Sequence, residues 1–326
     1  MILGERYFET IDNHDLYWTD IQGPSPDNIH ELEQYHFHRL NLDDCLSKIQ
    51  IPKIDKYADH IFIILHFPVY KEEEEDKNEH SIPNSSQLSI FVGTSFLVTI
   101  HNKDLKNITE IFQLCKNSNK ERETLMGSSP AFLLHHIIDV LVDDFLRGIL
   151  KLEDRLDDLE EVIFNNRKTS EEAKKINLLR REVTTLRRIA IRLRSTVSEL
   201  TSDIQKFSNK DVTLLYNDLK DHIEKILETL EEAKETIEIY KDVYFMVTSE
   251  KSNKILSILT IIFTLTIPVT VIGTFYGMNI SMPGRIEAPP TFLGPYTTMI
   301  IVIITSTVPS LLMFWYFRRA GWMSFD

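Results

Sequence analysis

A chain of 326 residues that is 43% hydrophobic carries enough apolar material for a packed core, which excludes a disordered tail. Its formal net charge of -13 excludes a nucleic-acid partner held on a basic surface and favours attraction of cations, divalent ions among them. Only Cys45 and Cys115 occur, far apart and outside CxxC spacing, so neither a disulfide framework nor a cysteine-based zinc site is indicated, and a reducing cytosol is the simpler reading.

The N-terminus, Met1-Ile2-Leu3-Gly4-Glu5-Arg6, meets charge before a long apolar stretch, so no cleaved secretory signal is expected. Residues 1–125 read as an α/β domain. His60 to Val69 and Leu88 to His101 are rich in Ile, Val, Phe and Thr, and the second run holds two strands around Gly93-Thr94. Between them, Lys71 to Lys77 (KEEEEDK) and Pro83-Asn84-Ser85-Ser86 suit an exposed loop, whose acids read first as a solvated charge run.

From Pro130 the period becomes helical, with Ser128-Ser129 as a cap and proline in the first turn. Residues 126–207 form a helical coiled-coil region with a break near Asn165-Asn166. Apolar positions at Ile176, Leu179, Val183, Leu186, Ala190, Leu193, Val197 and Leu200 keep an alternating three and four spacing. Leu219, Ile223, Ile226, Leu230, Ala233, Ile237, Tyr240 and Tyr244 repeat it after a turn at Ser208-Asn209, so the two helices are expected to pair antiparallel. The stalk helix of residues 208–254 has no proline or glycine between Asp211 and Ile267. It can therefore run into the following apolar segment as one rod on the order of 60 residues and 90 Å.

From Ile255 to Gly284 no residue is charged, and a second charge-free run follows Glu287 and reaches Phe317. A bilayer is crossed by about 20 apolar residues over roughly 30 Å, so two spans are expected, at 255–279 and 295–317, joined by an external loop at 280–294. Lys251 and Lys254 flank the first span and Arg318 and Arg319 the second, while the loop holds only Arg285 and Glu287. This positive-inside bias puts both termini, including residues 318–326, in the cytoplasm.

One helical stripe of the first span gathers Asn253, Ser257, Thr260, Thr264, Ile267, Val271 and Thr274 into a sector of roughly 100°, with Leu256 and Thr270 at its edges. Such a stripe serves either a helix-helix contact or the wall of a pore. In the second case its hydroxyls and amide hydrate an ion, and Leu256 and Ile267 form apolar constrictions that gate by dewetting. One two-span hairpin encloses no pore, so transport demands a cyclic assembly of copies. Pro309 in the second span is tolerable where hydroxyls such as Thr305 satisfy freed backbone groups.

Other clusters read more blandly. His135, His136, Asp139, Asp143 and Asp144 lie within about three helical turns and are possible metal ligands, although no HExxH pattern is present and acidic helix faces are usually solvated. The arginines at 180, 181, 187, 188, 192 and 194 read as partners of acids on the facing helix rather than as a phosphate site. No P-loop, no GxGxxG after a strand and no GxSxG occurs, so no enzymatic chemistry and no organic cofactor are expected.

Tyr276-Gly277-Met278-Asn279, after a span containing Pro268 and before a short loop and a second span, resembles the CorA-type magnesium and divalent cation transporters. Asn217 to His222, Ser252-Asn253-Lys254, the strands of Leu88 to His101 and the helix of Asp139 to Phe145 extend the resemblance over nearly the whole chain. It implies a homopentameric funnel in the cytoplasmic membrane: an α+β cytoplasmic domain, long coiled-coil helices and a two-helix transmembrane hairpin. It further implies that Gly277, Met278 and Asn279 form the pore entrance. Amide oxygens there hold hydrated Mg²⁺ without stripping waters that the ion gives up reluctantly. Asn253 matches the inner polar ring, and Thr270 and Thr274 match pore-lining positions.

The resemblance also implies cytoplasmic Mg²⁺ sensing at Asp218, with Asp221 nearby and Glu72, Glu73, Glu74, Glu75 and Asp76 as candidate partners from a neighbouring subunit. Mg²⁺ is then both the transported and the regulatory ion, passing along the membrane potential. Two features depart from the pattern. The loop after Asn279 has Glu287 as its only acid, and Pro283-Gly284 is similar to the zinc-transporting branch of the family. Zn²⁺, Co²⁺ or Ni²⁺ transport by the same architecture, with proton coupling, is the alternative reading. A non-conducting membrane-anchored coiled-coil scaffold is the third, and it leaves Asn279 without a task.

Overall fold

The computed structural model describes residues 7–47, 50–70, 83–164, 170–278 and 297–321. It separates into two compact units, Met1–Asp242 and Val243–Asp326. The first begins with a six-stranded sheet of β1 (Tyr7–Asn13), β2 (Leu16–Gln22), β3 (Lys53–Lys56), β4 (His60–Val69), β5 (Asn84–Gly93) and β6 (Phe96–His101), in the order β1-β2-β6-β5-β4-β3. All neighbours are antiparallel except β2 and β6, whose parallel ladder runs from Tyr17 opposite Phe96 to Gln22 opposite His101.

The two apolar runs seen in the sequence are β4 and the β5-β6 hairpin. They are nearly continuous in Ile, Val, Leu and Phe because both sheet faces are covered. Phe62, Ile64, Phe91, Val98 and Ile100 join Ile29, Leu32, Phe37 and Leu42 of the segment that holds helices α1 (Pro26–Glu31) and α2 (Arg39–Leu46). From the neighbouring strand β2, the Trp18 indole meets the Phe112 ring of helix α3 (Lys106–Asn117) edge-on, at 4.9 Å between centroids. The short helix α4 (Asn119–Met126) follows.

The strands β1, β2 and β3 escape a reading by apolar pattern. The first two carry Glu9, Asp12 and Asp20, and their tight turn uses His14 at φ 54° where glycine or asparagine is the usual signal. The edge strand β3 is only Lys-Ile-Asp-Lys, a charged sequence that discourages edge-to-edge pairing.

Three long helices complete this unit: α5 (Pro130–Phe164), α6 (Ser170–Asp203) and the first part of α7 (Thr213–Gly277). Ser129 caps α5 through its hydroxyl to the Phe132 N–H at 3.2 Å, with Pro130 in the first turn as expected. Arg187 pairs with Glu231 at 2.8 Å and Arg194 with Glu224 at 3.2 Å, which fixes α6 and α7 antiparallel and gives two of the six arginines the acidic partners assigned to them. The pair is in fact a triple. Helix α5 lies parallel to α7, since Tyr216 Oη donates to the Ala131 carbonyl at 2.9 Å and, further along both helices, Tyr240 Oη donates to Glu160 at 2.7 Å.

The second unit contains the end of α7 and helix α8 (Thr297–Arg319), and each has a segment long and apolar enough to cross a membrane. Helix α7 keeps its hydrogen-bonded ladder for 65 residues and continues past Pro268. Proline supplies no N–H to the carbonyl one turn earlier. Beside this gap the Ser310 hydroxyl of α8 lies 3.0 Å from the Leu265 carbonyl. Pro309 interrupts α8 in the same way, but Thr305 donates to the Ile301 carbonyl at 2.7 Å, a turn before the group that Pro309 frees.

Within the sheet, Asp20 and His101 are both fully buried and sit 3.2 Å apart (Oδ1 to Nε2), in an orientation short of an aligned hydrogen bond. Thr99 Oγ1 donates to Asp20 at 2.6 Å and Trp18 Nε1 donates to Thr99 at 3.1 Å. Burial by itself lowers the pKa of His101, but contact with the Asp20 carboxylate and its charge outweigh this and leave the imidazole raised above its ordinary value. A raised folded-state value stabilises fully below the unfolded value of about 6.5 and loses that contribution as pH rises through the folded one. The apparent melting temperature of the full-length protein is therefore expected to fall as pH rises above about 6.5. Asp20→Asn flattens the profile; a pH-independent wild type contradicts the assignment.

Candidate ion pathway and cation cluster

On the membrane part of α7, Ser257, Ile261, Thr264, Leu265, Pro268 and Ile272 are half-buried or buried, and the Leu265 carbonyl meets Ser310 of α8. These recur every three or four residues and define the contact face between the two spans. Most of the polar stripe is turned away from it. Asn253, Leu256, Thr260, Ile267, Thr270 and Thr274 are exposed and Thr264 is half-buried, so α8 leaves almost the whole stripe uncovered. Ser257 and Thr264 are the half-buried members of the stripe.

The threonines of this stripe share one bonding state. Thr260, Thr264, Thr270 and Thr274 donate to the carbonyls of Leu256, Thr260, Thr266 and Thr270 at 2.7–2.9 Å. Back-bonding of this kind spends the hydroxyl proton on the helix. What remains outward is a pair of oxygen lone pairs, the feature that attracts a cation or the hydrogens of its hydration shell. Thr266, Thr305 and Thr307 bond in the same way elsewhere, so stripe position and bonding state together, rather than back-bonding alone, distinguish these residues. Gly277 is the last residue of α7, Met278 follows it and is exposed, and Asn279 lies outside the described residues.

A second site lies in the first unit, where the register of α5 on α7 gathers Asp139, Asp143 and His222. Each offers a ligand atom, and these atoms all lie within 4.8 Å of one another. The residues are one turn apart on α5, and His222 is one turn after Asp218 on α7. His222 Nδ1 is 3.8 Å from Asp139, Nε2 is 3.9 Å from Asp218, and the buried Nδ1 has no hydrogen-bond partner. Two oxygens on opposite sides of Mg²⁺ at 2.0–2.1 Å are about 4.2 Å apart, so the group can close on an ion with small side-chain movements or hold it through water. Carboxylates suit Mg²⁺; the imidazole extends the range to Co²⁺, Ni²⁺ and Zn²⁺.

The histidines singled out on α5 take other roles. His135 directs Nε2 to the Leu215 carbonyl at 3.1 Å and rests edge-on against Tyr216, so it helps to set the helix register. Burial lowers its pKa and that of His136, in each case opposed by the charge of Asp139. Asp144 pairs with Arg147 at 2.9 Å. Asp221 lines the groove between α6 and α7 with Arg187, Arg194 and Glu224. The acidic run Glu72, Glu73, Glu74, Glu75 and Asp76 lies outside the described residues. Sequence reasoning passed over His222 as a ligand although it stands four residues after Asp218; that helical spacing was the available signal.

The family model described as CorA-like Mg²⁺ transporter protein matches residues 13–319. The cobalt/magnesium transport protein CorA of Thermotoga maritima is 27% identical over 292 residues, 89% of this chain and 78% of that protein. The putative metal ion transporter YfjQ of Bacillus subtilis is 28% identical, over 83% of this chain and 81% of its own length. Among solved structures, the CorA magnesium transporter of Methanocaldococcus jannaschii superposes with a TM-score of 0.79 at 22% identity, over 96% of this chain and 93% of that one, which establishes a shared fold. With a family match spanning the sheet, the long helices and both apolar spans, the chain belongs to the CorA-like Mg²⁺ transporter family.

Proposed function

We propose that this chain is one subunit of a homopentameric, channel-like transporter that passes Mg²⁺ through the cytoplasmic membrane with both termini in the cytoplasm. The observation that carries the reading is the stripe of α7 that α8 leaves uncovered, because a row of outward oxygen acceptors in a bilayer needs a polar counterpart. In a ring of α7 helices that counterpart is a water-filled lumen. Asn279 stands at its outer mouth, followed inward by Met278, Gly277, Thr274, Thr270, Thr264 and Thr260, with Asn253 at the inner end. Ile267 and Leu256 are the apolar constrictions.

An inside-negative potential contributes about 4.6 kcal/mol per 100 mV for a divalent ion, so inward flow requires no ATP. Asp139, Asp143, Asp218 and His222 form the cytoplasmic sensor, and Asp221 with Glu72, Glu73, Glu74, Glu75 and Asp76 of a neighbouring subunit are the further candidate acids. Mg²⁺ bound there relieves carboxylate repulsion and favours the closed ring, and its loss favours a splayed, wetted one; this is feedback by linkage. Because α7 carries both Asp218 and the stripe, movement at the sensor has a continuous helix to follow. His222 within the cluster favours a second reading, in which Co²⁺, Ni²⁺ or Zn²⁺ is transported or sensed in place of Mg²⁺.

Purified protein in liposomes under an inside-negative potential is expected to admit Mg²⁺. The Asn279→Ala variant should lose at least about tenfold of that flux while keeping the mass of the assembly. Wild-type flux in the variant removes Asn279 from the pore entrance, and Zn²⁺ entry without Mg²⁺ entry transfers the function to the second reading. Asp139→Asn and Asp218→Ala should each raise the internal Mg²⁺ concentration that half-closes the transporter, by about tenfold for a lost ligand. An unchanged inhibition curve in both variants removes the sensor from this cluster.

A further inference from the structure

The chain is acidic, but its membrane unit is not: from Val243 onward it carries five Lys or Arg against three Asp or Glu, within a total net charge of -13. Four of the five, Lys251, Lys254, Arg318 and Arg319, belong to the same end of the two spans. The contact of Ser310 with Leu265 fixes the level. Arg318 and Arg319 lie about 12–14 Å past it along α8, and Lys254 and Lys251 about 16–21 Å before it along the antiparallel α7, at 1.5 Å per residue. Long lysine and arginine arms span the remaining difference.

None of the four has a carboxylate within ion-pair distance among the described residues, although Glu250 is a chain neighbour. By contrast Lys56, Lys116, Arg155, Arg187 and Arg194 of the first unit all lie within 4.0 Å of one. The Arg319 guanidinium rests 5.3 Å over the Trp315 ring, and Trp315 and Tyr316 are themselves 57% and 63% exposed. Stacking holds the guanidinium beside an indole of the type that settles at the headgroup level of a bilayer. Unpaired cations, a stacked arginine and exposed amphipathic rings on one rim fit a surface with acyl chains below and phosphate oxygens above.

We propose that Arg318, Arg319, Lys251 and Lys254, with Trp315, form a seat for the headgroup of an anionic phospholipid. The seat rests on the membrane crossing of α7 and α8 and is independent of which ion is transported. Arg319 on Trp315 binds the phosphate and the two lysines complete the charge from α7.

The test uses delipidated full-length protein and native mass spectrometry, comparing phosphatidylglycerol with phosphatidylcholine of identical acyl chains. Phosphatidylglycerol is expected to bind at least about 25-fold more tightly, with no competition from inorganic phosphate. The R318Q/R319Q double variant should lose roughly 25-fold of the preference, about fivefold per charge, while R318K/R319K keeps most of it. Equal binding of the two lipids by the wild type overturns the proposal without touching the transport reading. So does a preference that survives R318Q/R319Q together with K251Q/K254Q, or displacement of the lipid by inorganic phosphate.

Discussion

The structure depends on the long backbone ladder of α7, which Pro268 interrupts at a single N–H. A helix satisfies its own N–H and C=O groups wherever it runs, which is the condition for entering hydrocarbon. It leaves the side chains free to answer to different surroundings along one axis. Up to Tyr240, α7 shows a stripe of buried Leu, Ile, Ala and Tyr and a charged remainder; beyond Lys254 it is apolar on every side except for its threonines. The one covalent interruption, Pro268, has a neighbouring carbonyl met by Ser310 from the second span. A break in the ladder thus coincides with the tie between the two spans.

Register is the second determinant. Two tyrosines and a histidine, all directed to backbone or carboxylate acceptors, fix how far α5 is slid along α7. Tyr216 is wholly buried, so its hydroxyl has a single productive position, on the Ala131 carbonyl. With that contact made, Asp139 and Asp143 face His222 one helix across. A shift by one turn, about 5.4 Å, would put other residues opposite the imidazole. The cation cluster is thus a consequence of packing that is itself apolar and hydrogen-bonded. The buried Asp20 and His101 play a comparable part in the sheet, where they tie the parallel β2-β6 ladder and hence the β1-β2 hairpin to the remaining strands.

Charge is distributed in step with these solvents. Carboxylates and cations of the first unit form many exposed pairs, such as those that align α6 with α7, each worth little individually but together specifying orientation. Next to the bilayer the acids thin out and the cations stay unpaired. The same chain therefore presents an acidic surface to the aqueous phase and a basic rim to the membrane.

The sequence by itself determined the two spans, their flanking charges, the continuity of α7, the β4 to β6 strands and the antiparallel α6-α7 pair. Each of these is a local property: a length of apolar residues, a period, or the absence of proline and glycine. It also marked the threonine stripe, because a helical period places those residues on one face wherever the helix lies. What it could not decide was pairing between elements. The charged β1, β2 and β3 strands owe their place to partners far along the chain, and α5 joins α7 through contacts about 80 residues apart. His222 reads as an ordinary polar residue until α5 brings two carboxylates to it. The stripe likewise has two readings along the chain, and only the structure shows that most of it lies off the residues buried between the spans. Period and composition are summed along the chain, whereas a coordination cluster or an uncovered face exists only once separate helices are set in register.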